Sequence, residues 1–363
     1  MSERKVYNFY PGPATLPEEV MKRAQEEFVD YHGLGYGIAE TSHRSPEFKE
    51  VIERAEQNVR DLLGVSDEYA VLFLQGGASL QFAMLPMNLM VPGKPGLYAD
   101  TGSWTSKAIK EAKKIGETKV VYEGEKTSYT QIGDFNDWEG VTRDASYLYI
   151  CSNNTIYGTQ YHFFPELNGV PLIADMSSDI MSRKVDVSKF GAIFAGAQKN
   201  LGPAGVTLVI IHKDLADRAS ADLPTMLSYK THIEKGSTFN TPPVFAVYMV
   251  GLVLDWIQEQ GGLDAVEKVN NVKAENLYSR IDASDFYLGT AASADRSKMN
   301  VTFRLDNEDL EPTFIAEAAA AGLIGLKGHR SVGGIRASIY NAMPLAGVSK
   351  LIDFMGDFEE KHG

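Results

Sequence analysis

A lysine set between two apolar runs is the residue in this sequence best placed to do chemistry. Lys199 follows Ile193-Phe194-Ala195-Gly196-Ala197-Gln198 and precedes Gly202-Pro203-Ala204-Gly205, after which Val206-Thr207-Leu208-Val209-Ile210-Ile211 resumes the apolar pattern. The glycine–proline segment cannot extend a helix and reads as a tight loop. Burial lowers a lysine pKa, and the resulting neutral amine attacks carbonyl carbon. A solvated loop lysine is the ordinary alternative. The elements around Lys199 have to decide between the two.

Those elements alternate. The strand-like run Tyr69 to Leu74 enters Gln75-Gly76-Gly77-Ala78-Ser79 and opens a helix. Such a junction turns free backbone N–H groups and the helix dipole towards an anion, although many such turns use glycine only for geometry. Neither a GxGxxG nor a P-loop pattern occurs here, which argues against a dinucleotide or nucleoside triphosphate. Gly96 to Asp100 reads as the next strand and leads to Thr101-Gly102-Ser103-Trp104. Thr118 to Tyr122, Tyr147 to Cys151 and Pro171 to Asp175 continue the series, and Thr155 follows one of these strands closely. Asp175 ends the apolar run Val170 to Ala174, where a buried carboxylate needs a positive partner. Strands alternating with helices predict an α/β fold: a mostly parallel sheet, helices on both faces, active residues at the strands' carboxyl ends. Gly76 to Ser79, Trp104, Thr155, Asp175 and Lys199 all fall at such ends.

The flanking segments are also marked. Tyr7 to Pro13 forms a proline-punctuated arm, and Pro17 opens a helix to about Tyr31. His43 and Arg44 stand just before a helix whose N-cap is Ser45 and whose apolar face, from Phe48 to Leu63, stops at Gly64. Gly236 to Pro243, containing Asn240 and Thr241, precedes a long apolar helix from about Pro243 to Gln260. Gly261-Gly262 breaks it, and a helix to about Arg280 follows. The remainder reads as strand 299–305, helix 308–321, strand 334–340 and helix 344–361. Between those last elements, His329, Arg330 and Arg336 crowd a glycine-rich stretch and suit an anion clamp.

Composition narrows the class. With 35 Lys and Arg against 48 Asp and Glu, the formal charge is -13, which disfavours nucleic acid and anionic membrane as partners. Cys151 is the sole cysteine, so no intrachain disulfide forms, and its place in an apolar run reads as a buried inert thiol. Met1 to Lys5 leads into no apolar signal core, and Val244 to Leu254 falls short of the roughly 20 residues that span a bilayer. A cytoplasmic enzyme is the expectation.

With Trp104, Asp175 and Ala197-Gln198-Lys199 in this order and spacing, the chain resembles the pyridoxal-phosphate-dependent class-V aminotransferases of the aspartate-aminotransferase fold, and within them the phosphoserine aminotransferases. Glu40 to Ser45, Ala197 to Gly205 and Ser237 to Pro243 carry the resemblance, which runs from Asn8 to Asn341. It implies a fold-type I transferase: an arm over 1–16 joining the small domain, a large domain over 17–260 with a mostly parallel seven-stranded-type sheet, and a small α+β domain over 261–363. It implies pyridoxal 5'-phosphate bound covalently to Lys199, with Asp175 at its ring nitrogen, Trp104 on its face and Thr155 at its edge. Ala78, Ser79 and Gln198 would hold the cofactor phosphate, with Asn240 and Thr241 reaching across a homodimer that shares its active sites. His43 and Arg44 from the other subunit, with His329, Arg330 and Arg336, would bind the substrate's carboxylate and phosphate. The implied reaction moves an amino group reversibly from L-glutamate to 3-phosphohydroxypyruvate, giving O-phospho-L-serine and 2-oxoglutarate for serine biosynthesis. Some relatives also serve the phosphohydroxythreonine step of vitamin B6 synthesis. Ser79 stands where some relatives carry an arginine for the substrate phosphate, so only the cofactor role carries over to it.

Three rivals remain. A class-V aminotransferase acting on alanine or serine with glyoxylate would need fewer basic residues than His329, Arg330 and Arg336 supply. A cysteine desulfurase needs a nucleophilic thiol on a mobile loop, for which Cys151 in a strand is badly placed. A binding module on a decayed enzyme fold has no use for Lys199, Asp175 and Trp104 together.

Overall fold

The computed structural model describes residues 6–167 and 169–363, so the first five residues of the expected arm lie outside the described residues. Helix α1 (Glu18–Val29) is followed by α2 (Pro46–Leu63). Local chemistry sets the bounds of α2. The Ser45 hydroxyl accepts the Phe48 N–H at 3.4 Å, Pro46 takes the first helical position, and Gly64 ends the helix at φ 66°. Its buried face includes Phe48, Val51, Ile52, Ala55 and Val59, a helical period.

Next come β1 (Tyr69–Leu74), α3 (Gly77–Leu89), β2 (Gly96–Asp100), α4 (Ser103–Ala112) and β3 (Thr118–Glu123). They are followed by β4 (Tyr147–Cys151), β5 (Leu172–Asp175), β6 (Ala192–Gly196) and β7 (Thr207–His212). These strands form one seven-stranded sheet in the order β1-β7-β6-β5-β4-β2-β3. Only β7 runs antiparallel to its neighbours β1 and β6; the other pairings are parallel. Every residue of β1, β4, β5 and β6 is buried, because both sheet faces are covered. Val71 and Phe73 of β1 enter one core while Ala70, Leu72 and Leu74 enter the other. The largely apolar helix α5 (Val244–Glu259) packs on α2, where its buried Asp255 accepts from Asn58 Nδ2 at 2.7 Å and Arg54 Nε at 3.0 Å.

Helix α6 (Gly262–Asp282) leads to a three-stranded antiparallel sheet of β8 (Tyr287–Gly289), β9 (Asn300–Leu305) and, beyond α7 (Glu311–Ala320), β10 (Ile335–Ser338). Helix α8 (Leu345–His362) closes the chain. Strand β8 carries no sequence signal: it is three residues long, and Leu288 is exposed on its edge. Tyr7 and Asn8 pair in parallel with Leu323 and Ile324, and Phe9 is fully buried in the same core as Phe303 and Phe314.

One buried cation ties these parts together. Lys273 of α6 is wholly inaccessible, and its Nζ donates to the carbonyls of Ile339 (2.9 Å), Tyr340 (2.7 Å) and Met343 (3.1 Å). That segment in turn grips the surroundings of Lys199. The Asn341 N–H donates to Asn200 Oδ1 at 3.0 Å, and the Tyr340 hydroxyl donates to the Pro11 carbonyl at 2.8 Å. Burial lowers the Lys273 pKa from 10.5 to about 7, against the pull of three carbonyls that only an ammonium satisfies together. Between those values the folded chain binds fewer protons than the unfolded one, so this group makes stability rise with pH across that window. Lys273→Met should lower the unfolding free energy in denaturant melts by at least about 3 kcal/mol, because three buried carbonyls lose their donor. It should also flatten that pH dependence. A loss under about 1 kcal/mol with the slope intact would contradict this assignment.

Candidate active site

Lys199 lies in the turn between β6 and β7, at the edge where the parallel strands end. The turn is compact because small residues admit close neighbours. A Cβ on Gly196 would sit 2.6 Å from Gln198 Oε1, and one on Gly12 would come within 3.3 Å of Lys199 Cγ. The N-terminal arm therefore lies against the lysine stem, and the Ala14 N–H donates to the Gln198 carbonyl at 2.9 Å. Lys199 Nζ donates to Thr155 Oγ1 at 3.0 Å and stands 5.9 Å from the Trp104 ring centroid. Trp104 occupies the first turn of α4, and its Nε1 is buried without a hydrogen-bond partner.

Asp175 ends β5 almost fully buried, with Oδ1 accepting the Ser177 N–H at 2.9 Å. Among the described residues no cationic nitrogen comes within 4.0 Å of its carboxylate. Burial raises its pKa; the Ser177 hydrogen bonds and then the Lys199 charge oppose that rise. A second buried carboxylate nearby shows the contrast. Asp179 accepts from Ser152 Oγ and from Gln160 Nε2 at 3.1 Å, with Arg183 at 3.8 Å. Ser152 Oγ also meets the Asp175 carbonyl at 3.1 Å, which fixes the strand end.

Arg336 of β10 is the opposite case. It is buried, its Nη1 donates to the Thr155 carbonyl at 3.3 Å, and its Nε has no partner. Among the described residues no carboxylate pairs with it. Burial lowers its pKa from the ordinary guanidinium range, as it lowers that of Lys199, whose amine the Asp175 charge partly restores. Lys199 is only half-buried, so its stem reaches the cleft while its amine sits in the drier interior. Arg336 also lines a cavity of about 250 Å³ with Tyr157 and Gly334. A larger one, about 450 Å³, opens between Tyr7, Trp256 and Met343 and shares no lining residue with the cleft.

The remaining expected residues fall into two groups. Ala78 and Ser79 lie in the first turn of α3, whose N-cap Gly76 adopts φ 90° and offers no side-chain cap, so the backbone N–H groups there stay free for an anion. His329 Nδ1 meets Ser331 Oγ at 2.7 Å, and its pKa is lowered by burial and then by Arg336, Arg330 and Lys107. His43 and Arg44 sit at the entry to α2. Thr241 accepts from Gln75 Nε2 at 2.9 Å through its carbonyl, and Asn240 Nδ2 lies 3.5 Å from Gln75 Oε1. Among the described residues none of these four hydrogen-bonds or ion-pairs with Lys199, Asp175 or Arg336. Sequence reasoning missed Gly12 and Ser177. Gly12 acts through close backbone approach, and Ser177 through its N–H on Asp175 and its hydroxyl on the Gly196 N–H, neither of which leaves a pattern.

The family model for class-V aminotransferases matches residues 6–351. The chain belongs to the class-V aminotransferase family. It is 58% identical to a phosphoserine aminotransferase of Desulfotalea psychrophila over 354 residues, covering 98% of each chain. Its structure matches a phosphoserine aminotransferase from Bacillus circulans subsp. alkalophilus at a TM-score of 0.97, with 49% identity over all of both chains. It matches a PLP-bound phosphoserine aminotransferase from Trichomonas vaginalis at 0.91, with 36% identity over 97% of this chain and 99% of that one.

This class-V aminotransferase uses pyridoxal 5'-phosphate, and the cleft fits it. A carboxylate without a cation suits a protonated ring nitrogen, an indole beside the lysine suits a flat ring, and an uncapped helix start suits a phosphate. The Lys199 amine should titrate below its ordinary 10.5, measured as the pH dependence of its reaction with an amine-selective reagent in cofactor-free protein. Asp175→Asn should move that inflection lower still, since the carboxylate is what most favours the ammonium. An inflection that stays put or rises would contradict the electrostatic coupling.

Proposed function

We propose that the chain transfers an amino group reversibly between L-glutamate and 3-phosphohydroxypyruvate, yielding O-phospho-L-serine and 2-oxoglutarate in serine biosynthesis. The observation that carries this reading is the buried Arg336 guanidinium without an anion, set beside Thr155 and backed by His329 and Arg330. A buried arginine fork is suited to a carboxylate, and the outer basic pair adds charge for a second anionic group. The highly identical relatives named as phosphoserine aminotransferases support the same substrate class.

Each residue then has a task. Lys199 would hold the cofactor through Nζ, and Asp175 would hold its ring nitrogen. When bound, pyridoxal phosphate supplies a ring that accepts the electron pair of the substrate's α-carbon. Lys199 would carry the substrate's α-proton on Nζ, and Thr155 Oγ1 keeps that nitrogen aimed. Trp104 would pack against the cofactor and exclude water. Ala78, Ser79 and Gln198 hold the cofactor phosphate. Arg336, being deepest and nearest Thr155, takes the α-carboxylate, and His329 and Arg330 take the phosphate.

His43, Arg44, Asn240 and Thr241 complete the site from the other subunit of a homodimer in this reading. None of the four hydrogen-bonds to Lys199, Asp175 or Arg336 of its own chain among the described residues, which supports that assignment. The division at residues 16 and 260, a cytoplasmic setting and the phosphohydroxythreonine step of vitamin B6 synthesis belong to the same proposal. No helix among the described residues is long and apolar enough to cross a membrane.

The test is a single-turnover panel. Enzyme carrying the amino group is mixed with 3-phosphohydroxypyruvate, hydroxypyruvate, pyruvate or glyoxylate. The phosphorylated acid should react at least about 100-fold faster per unit concentration, as expected of a site with polar groups left unpaired by the others. Glyoxylate or pyruvate reacting as fast would favour the alternative of an unphosphorylated substrate. Arg336→Ala should raise KM for L-glutamate and for 3-phosphohydroxypyruvate alike, by about 10- to 100-fold, since both bear the α-carboxylate.

A further inference from the structure

We propose that Lys107 is a substrate-binding residue: it reaches from α4 across the mouth of the cleft and grips the substrate's phosphate from the side opposite His329 and Arg330. The proposal rests on the phosphorylated-substrate reading above. Lys107 lies one helical turn beyond Trp104, on the same face of α4. Its side chain is largely exposed, yet Nζ folds back to stand 4.2 Å from the Trp104 ring centroid. The same indole has Lys199 Nζ at 5.9 Å, so one ring neighbours both the reactive amine and this outer cation.

Two further observations bear on Lys107. Some exposed lysines of this acidic chain hold carboxylates, as Lys22 holds Glu18, Lys114 holds Glu111 and Lys126 holds Glu123, whereas Lys107 shares with Lys110 of the same helix the lack of one among the described residues. Among the described residues Lys107 has no carboxylate within 4.0 Å. Its charge is also felt at His329, on the glycine-rich loop that leads to β10, together with those of Arg330 and Arg336. Charges from two separate segments, α4 and the 328–334 loop, therefore act on one imidazole. His329 Nδ1 is engaged by Ser331, which leaves Nε2 for a ligand. A dianionic group received there by His329, Arg330 and Lys107 would bridge α4 to the 328–334 loop.

The test compares Lys107→Met and Lys107→Arg holoenzymes with the unmodified holoenzyme by calorimetric titration. O-Phospho-L-serine and L-glutamate are the ligands, and cofactor content is followed by absorbance. Lys107→Met should weaken O-phospho-L-serine about tenfold more than L-glutamate, a factor in keeping with one charge-assisted contact. Lys107→Arg should recover most of that selectivity, and the difference should shrink as salt is raised. Equal weakening of both ligands, or none, would overturn the proposal. So would loss of cofactor from Lys107→Met, which would put the lysine on the cofactor instead. If the unmodified enzyme itself binds O-phospho-L-serine no better than L-serine, the phosphorylated-substrate reading fails first, and the role of Lys107 falls with it.

Discussion

Asp175 sits at a dry strand end with hydrogen-bond donors but no cation within ion-pair distance, and Arg336, which donates to the Thr155 carbonyl, has no anion among the described residues. Leaving either charge uncompensated costs several kcal/mol by ordinary desolvation arguments, roughly the range seen when one partner of a buried pair is removed. The fold bears both costs, and both charges act on the one Lys199 amine. That arrangement suits a ring with a protonated nitrogen and a substrate that bears a carboxylate. Asp179, a few residues along, shows that the chain can satisfy a buried carboxylate from its own side chains where no ligand is needed.

The rest of the structure holds these groups in place. Parallel strands β4, β5 and β6 bring Thr155, Asp175 and Lys199 to one edge, because each residue closely follows or ends a strand whose register is fixed by its neighbours. Arg336 arrives from a different sheet, so its position depends on the contacts that join the two. Lys273 with three carbonyls, Asn341 on Asn200 and Tyr340 on Pro11 supply them. Polar groups buried so completely fix one geometry, since any slippage leaves donors or acceptors unpaired.

Much of this was legible in the sequence. The strand series was readable because a doubly covered parallel sheet writes itself as unbroken apolar runs, and α2 because its cap, period and glycine stop agree. Asp175 and Lys199 stood out for the same reason, as charges at the ends of such runs. Three kinds of feature were not readable. Strand β8 is too short and exposed to leave a period. The pairing of Tyr7 and Asn8 with Leu323 and Ile324 joins residues more than three hundred positions apart. The cage around Lys273 uses backbone carbonyls, which have no sequence signature at all.

The central claim is that Asp175 has no cation at ion-pair distance, only the partial support of the Lys199 charge, until the cofactor's ring nitrogen meets it. Its most direct test is the unfolding stability of Asp175→Asn against the unmodified chain, each with and without saturating pyridoxal 5'-phosphate. Without cofactor the variant should be as stable as the unmodified chain or more so, because a neutral amide keeps the Ser177 hydrogen bond and sheds the buried charge. With cofactor the unmodified chain should gain far more stability than the variant. A variant that loses the same stability in both states would show Asp175 to be compensated within the chain, and would contradict the account.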